Sequence, residues 1–266
     1  MTQKLQNSIN NGYTVEISNY FSRGYDILKL NMGGYIGFAL LGLLISTVAN
    51  VIPFVNFIAG ILITPCLVFG FHLVSHAISA KREIPPFNEF FNGFNHFSKI
   101  VVVSLLSAVI FLILFVPIIL VFGVGTLFSI ISSSSNIESA TALSNAVLGL
   151  GGTIVILFII TMLAYLYLAV SLMFASLIAV FHNVEPVDAM KLSWKVVNKN
   201  WLMWLVMMLA LSLLLIAGAL FCLVGLLFAF PLYQCTIYAA FEDVCGVPET
   251  DGNHNDEISM IGAELK

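Results

Sequence analysis

Charge is what this sequence has least of. Asp, Glu, Lys and Arg make up 9% of the 266 residues, against about a quarter in a soluble domain. That scarcity excludes a water-soluble globule. Histidine is also sparse: five, one of them His254 near the C-terminus, are too few for a diiron membrane oxygenase or desaturase. No glycine-rich phosphate loop, Gly-x-Ser-x-Gly elbow or paired-carboxylate constellation occurs. Cys66, Cys222, Cys235 and Cys245 do not pair within an outer loop, so no disulfide framework is implied. The central turns of the apolar runs hold no Asp, Glu, Lys or Arg, the groups that ion-coupled carriers place near the midplane. These absences argue against an enzyme and against active transport, and no cofactor is expected.

What the chain has instead is long apolar runs. Hydrophobic residues reach 60% and the mean hydropathy is +1.03. About 20 apolar residues cross the roughly 30 Å hydrocarbon core as a helix. Runs of that kind lie near 34–51, 55–79, 100–131, 147–181, 201–217 and 221–241. The expected fold is an all-α polytopic membrane bundle of six spans. The polar first fifteen residues do not read as a cleaved secretory signal. The domain plan is an N-terminal segment over 1–33 carrying an amphipathic helix, a membrane domain over 34–243 and a tail over 244–266. From Glu242 onward, acids outnumber Lys266 amid Gly, Asn and Pro, which reads as disordered. Pro65, Pro117 and Pro231 are expected to kink their spans.

Positive residues in short loops stay on the cytoplasmic side. Lys4, Arg23 and Lys29 precede the first span, Lys81, Arg82 and Lys99 separate the second from the third, and Lys191, Lys195 and Lys199 separate the fourth from the fifth. The intervening connections, including "SSSSNIESATALSN" (132–145), have none. Both termini are therefore expected in the cytoplasm, with the chain in a bacterial inner membrane.

The charges gather in amphipathic stretches. In "MKLSWKVVNKNW", Val187, Met190, Trp194, Val197 and Trp201 share one helical face, and Lys191, Lys195 and Lys199 form a stripe on another. Two compatible placements follow: in the membrane interface, lysines toward anionic lipid, or packed on the protein's own spans. "PPFNEFFNGFNHFSK" (85–99) gathers Phe87, Phe90, Phe91, Phe94 and Phe97 on one face, and "EISNYFSRGYDILKLN" (16–31) gathers Ile17, Tyr20, Phe21, Gly24, Ile27 and Leu28. Interfacial helices are thus expected over about 86–98 and 186–199, with Tyr25, Phe90, Phe94, Trp194 and the three lysines at the membrane surface. Aligning Gly24–Tyr25, Gly93–Phe94 and Ser193–Trp194 predicts three repeats of an interfacial helix followed by a helical hairpin.

Polar groups within the spans are few. His72 and His76, four apart, are the candidates for a metal pair, with His96 or His182 as further ligands; a buried polar contact is the alternative, and no metal is expected. Thr161, Tyr165, Tyr167, Ser171, Tyr233, Gln234 and Thr236 are candidates to line a cavity or to join helices.

The succession "GYDILKLNMGGYIGFALLGLL", "PPFNEFFNGFNHFSK", "AMKLSWKVVNKNW" and "CLVGLLFAFPLYQCTIYAAFEDV" resembles the YciC-like bacterial inner membrane proteins. It also resembles the membrane domain fused to some glycerophosphoryl diester phosphodiesterases, in a version that looks like one from Bacteroidota. The resemblance implies a stand-alone six-span module; the phosphodiesterase barrel is absent, so its activity does not carry over. The expected function is a non-enzymatic module that binds lipid or another inner membrane protein, with no nucleic acid partner. A carrier for a small or amphipathic solute is the alternative.

Overall fold

The computed structural model describes residues 2–51, 53–81, 83–134, 140–221 and 224–248. These form helices and no strand. In chain order they are α1 (Gln3–Asn11), α2 (Ile17–Leu30), α3 (Met32–Asn50), α4 (Pro53–Lys81), a 3-10 helix η1 (Phe87–His96), α5 (Phe97–Ser134), α6 (Ala140–Ser171), α7 (Ala175–Phe181), α8 (Pro186–Asn198), α9 (Trp201–Leu220) and α10 (Val224–Cys245). Six of them, α3, α4, α5, α6, α9 and α10, are long and apolar enough to cross a membrane. The chain has the build of a multi-pass membrane protein.

Burial is one-sided. Tyr20, Tyr35, Phe38, Phe90, Phe174, Trp204 and Tyr238 are fully buried toward the end of the bundle that carries Lys4, Arg23 and Lys99, hereafter the basic end. Toward the other end, Leu44, Val48, Leu112, Ile119, Leu213 and Leu220 face outward. So much contiguous apolar surface would be an aggregation liability in water. It suits a hydrocarbon solvent.

A helix lies across the basic end before each hairpin of spans: α2 before α3 and α4, η1 before α5 and α6, α8 before α9 and α10. α2 packs on α10, η1 on α4, and α8 on α7 and the end of α6. A small residue makes each crossing. A Cβ on Gly24 would stand 2.8 Å from the Thr236 backbone. One on Gly93 would run into the Cys66 carbonyl, and one on Gly70 into the Phe90 carbonyl. At the third crossing Ser193 Oγ donates to the Ser171 carbonyl at 2.8 Å. That oxygen is available because the Ala175 N–H bonds to Leu172 instead, in the turn that separates α6 from α7.

The aromatic neighbours of these small residues point outward: Tyr25 is 44% exposed, Phe94 37% and Trp194 45%. Phe90 does not join them. It is fully buried against Tyr35, Phe38 and Phe71, which corrects its expected place at the membrane surface. The reason is the 3-10 winding of η1, about three residues per turn. Phe90 and Gly93 form a row against α4, while Phe91, Phe94 and Phe97 form a second, exposed row. The expected face of α8 divides as well. Met190 and Val197 are buried with Ala189, Ser193 and Val196, whereas Val187 and Trp194 are exposed. The helix therefore packs on the protein's own spans and turns Lys191, Lys195 and Lys199 outward.

Two boundaries differ from expectation. The run 147–181 is two helices, α6 and α7, divided at 172–174. α10 continues to Cys245, so Glu242 and Asp243 belong to a helix and not to the acidic tail. The rest of that tail, 249–266, and part of the Ser-rich connection, 135–139, lie outside the described residues. Pro65, Pro117 and Pro231 each sit inside a continuous helix, where each withholds one N–H from the carbonyl four residues earlier.

Candidate functional site

The basic end is closed by a polar clamp. Glu242, in the last turn of α10, receives the Ser79 hydroxyl at 2.8 Å, the Tyr238 hydroxyl at 3.2 Å and the Arg23 guanidinium. His76 Nδ1 lies 2.8 Å from the Tyr238 hydroxyl. The next residue, Asp243, accepts from Tyr20 at 2.9 Å and lies 3.5 Å from Lys4 Nζ. Burial, with the Asp243 carboxylate alongside, raises the Tyr20 pKa and keeps that hydroxyl a donor. α1 completes the clamp: Thr2 and Ser8 donate, each at 2.7 Å, to the Cys245 and Val244 carbonyls. Those are among the oxygens that a helix C-terminus leaves unpaired.

Further along the chain, Trp204 Nε1 donates to the Tyr13 hydroxyl at 2.6 Å, and that hydroxyl donates to the Val196 carbonyl at 2.9 Å. Burial raises the Tyr13 pKa, so it too stays protonated. Both carboxylates are thus occupied in tying α1, α2 and α4 to α10. The arrangement holds helices together, and neither Glu242 nor Asp243 lines a cavity described below.

Two cavities flank α4 within the spans. The first, of about 310 Å³, lies between α3, α4 and α10 and is lined by Phe38, Gly42, Leu43, Leu67, Phe71 and Phe230, with Ser46 and Thr64 as its hydroxyls. Phe38 and Phe71 pack on Phe90 and shut it toward the basic end. The second, of about 330 Å³, lies on the adjacent face of α4 against α5 and α7, and is lined by Thr64, Pro65, His72, Ser104, Ser107 and Ser176 among others. A third, of about 520 Å³, sits at the basic end among His76, Glu83, Pro85, Glu89, Asn92 and His96.

His72 and His76 have different surroundings. His72 is 5% exposed, packs on Phe69 and lines the second cavity. His76 packs on Phe181 and lines the third. His96 shares that third cavity, whereas His182 lies against Phe241. No group of three His, Cys, Asp or Glu side chains able to hold a metal occurs among the described residues.

His182 provides a pH test. Neither ring nitrogen has a hydrogen-bond partner, and burial lowers its pKa to about 4 from an unfolded value of about 6.5. Between those values the unfolded chain binds the extra proton, so its contribution to stability is complete above about pH 6.5 and is lost as pH falls toward 4. His182→Phe is expected to flatten the dependence of melting temperature on pH in that window. An unchanged acid limb would place the titrating group elsewhere.

Among the polar residues expected to line a cavity or to join helices, Tyr167 and Tyr233 bond to other helices, and Ser171 and Thr236 bond within their own. The Tyr167 hydroxyl accepts from Trp194 Nε1 and Asn198 Nδ2, each at 2.9 Å, and Thr236 donates to the Leu232 carbonyl of its own helix. The hydroxyls that do line the second cavity, Thr64, Ser104, Ser107 and Ser176, escape sequence inspection because isolated Ser and Thr are ordinary in apolar helices. Glu242 had a usable signal: Tyr238, Phe241 and Val244 continue the helical spacing past it. No family model matches this chain, and no curated protein or solved structure matches it significantly.

Proposed function

We propose that the chain is a non-enzymatic, lipid-binding module of a bacterial inner membrane, with both termini cytoplasmic and its outward aromatic face available to another membrane protein as an accessory or scaffold. The observation that carries this reading is the apolar cavity between α3, α4 and α10, bordered by helix surfaces that face hydrocarbon. A lipid chain gains little hydrophobic energy by leaving the bilayer, so its retention there rests on close packing against Phe38, Phe71 and Phe230. Among the described residues, no Asp, Glu, Lys, Arg or Cys lines either intramembrane cavity, which supports a binding role over catalysis. Purification in mild detergent followed by native mass spectrometry is expected to show retained phospholipid, reduced when Gly42→Leu fills the cavity. A lipid-free wild-type protein would refute the proposal.

The three hairpins are read as repeats of one unit. Support comes from Gly24, Gly93 and Ser193 at the three crossings, and from Asn31 and Asn200, which precede α3 and α9 with nearly the same backbone angles (φ −135°, ψ 44° and φ −135°, ψ 41°). A carrier is the second reading, favoured by one feature: Thr64 and Val68 line both intramembrane cavities, so the α4 turn beside Pro65 is their common edge. Labelling of Thr64→Cys by impermeant reagents from both membrane faces would favour the carrier.

The outward lysines of α8 give a further prediction. Each basic residue near an anionic leaflet contributes about 1 kcal/mol, and Lys191 also pairs with Asp188 at 2.9 Å. Changing Lys191, Lys195 and Lys199 to Gln is expected to leave expression and helix content unchanged and to speed amide exchange over 185–199 in anionic nanodiscs. Equal exchange in both proteins, insensitive to lipid charge, would remove these lysines from the interface.

A further inference from the structure

The second cavity, beside Pro65, combines two features that apolar packing does not require. It is polar where the chain is otherwise most apolar: Thr64, Ser104, Ser107 and Ser176 bring hydroxyls, and His72 brings an imidazole. Ser107 lies about ten residues into α5, roughly 15 Å along its axis, about half the depth of a hydrocarbon core. The second feature is an imidazole in the wall. His72 is 95% buried, since its exposure is 5%, and its Nδ1 is fully enclosed without a hydrogen-bond partner, so the ring meets the cavity through its other edge. Nε2 is then the nitrogen that a ligand hydroxyl can reach.

We propose that this cavity binds the uncharged, hydroxyl-bearing head of a membrane amphiphile of the diacylglycerol class, with His72 and the hydroxyls of Ser104 and Ser107 as its hydrogen-bonding groups. The size is sufficient: about 330 Å³ is far more than the ~30 Å³ share of a single water. The charge is right, because no described Asp, Glu, Lys or Arg lines the cavity, and a phosphate or ammonium head would be unpaired there. The functional group is right as well. A free hydroxyl both donates and accepts, so it satisfies a neutral imidazole in either tautomer and serine hydroxyls in either sense. A fully esterified glycerol only accepts.

This deepens the lipid-binding reading and rests on it, and the experiment separates the two. The protein is placed in phosphatidylcholine nanodiscs containing either dioleoylglycerol or triolein, ejected into a native mass spectrometer, and compared with His72→Phe and with Ser104→Ala/Ser107→Ala. One dioleoylglycerol per chain is expected on the wild type, with triolein not retained. Each variant should lose about tenfold in retention, the effect of one lost hydrogen bond. Phosphatidylcholine retention at the first cavity should be unaltered in both. If His72→Phe fails to fold, the serine pair, which is only half-buried, still decides. Equal retention of dioleoylglycerol and triolein, or undiminished retention by the serine variant, overturns this proposal alone. Absence of every lipid overturns both.

Discussion

Gly93→Val is expected to abolish the folded protein in mild detergent, while Gly33→Val is expected to be nearly silent. Both substitutions place the same β-branched side chain in a helix. They differ in what the new atoms meet: a Cβ at Gly33 has nothing within 4 Å, whereas one at Gly93 runs into the Cys66 carbonyl. Overpacking normally costs about 1–3 kcal/mol because side chains can shift. Here the obstacle is the backbone of α4, and moving η1 away would also pull Phe90 out of its contacts with Tyr35, Phe38 and Phe71. The cost should reach or exceed the top of that range, a large share of the ~5–15 kcal/mol that holds a typical protein folded. Fluorescence-detected size exclusion with a thermal ramp would show it as a lost monodisperse peak. A Gly93→Val protein that melts like the Gly33 variant would mean that η1 and α4 are not in backbone contact.

Glu242→Ala should be the second most damaging single change, at about 2–3 kcal/mol. Removing one partner of a fully buried ion pair costs about 3–5 kcal/mol; the figure is reduced here because the Arg23 side chain is 35% exposed and water can replace part of the loss. The truncation also strands the Ser79 and Tyr238 hydroxyls. Glu242→Gln keeps an acceptor for one of them and should cost less. A double-mutant cycle with Arg23→Gln isolates the ionic part, expected at about 1 kcal/mol. Thermal melts in which Glu242→Ala matches wild type would show that the clamp contributes nothing to holding α2 and α4 on α10.

The same two residues mark where sequence legibility stops. Gly93 was visible as the small member of a small–aromatic pair, and the structure adds that it lies against the backbone of α4 while Phe94 faces outward. Phe90 was misplaced because a period of 3.6 put it with Phe91 and Phe94, and the 3-10 winding of η1 puts it one row away. Glu242 looked like the start of a solvated acidic tail because its neighbours in sequence are acidic and polar. Its neighbours in space, Arg23, Ser79 and Tyr238, are 219, 163 and 4 positions away. His72 and His76 share a spacing, and only the packing of different helices against α4 gives one a hydroxyl-lined cavity and the other the Tyr238 hydroxyl.

By itself the sequence determined the class of the protein: an apolar chain with almost no charge, six runs long enough to cross a membrane, basic residues gathered at alternate connections and an amphipathic stretch ahead of each pair of runs. These follow from local physics, since transfer of apolar residues and backbone hydrogen bonding within a segment depend on the segment alone. Tertiary structure decided the rest. It set which small residue meets which span, closed the basic end around Glu242, broke 147–181 at 172–174 so that the Ser171 carbonyl could receive Ser193, and left cavities on adjacent faces of α4. Each of those depends on groups far apart in the chain meeting within a few ångströms, and in a sequence with so few polar residues, pattern carries almost no information about which of them will meet.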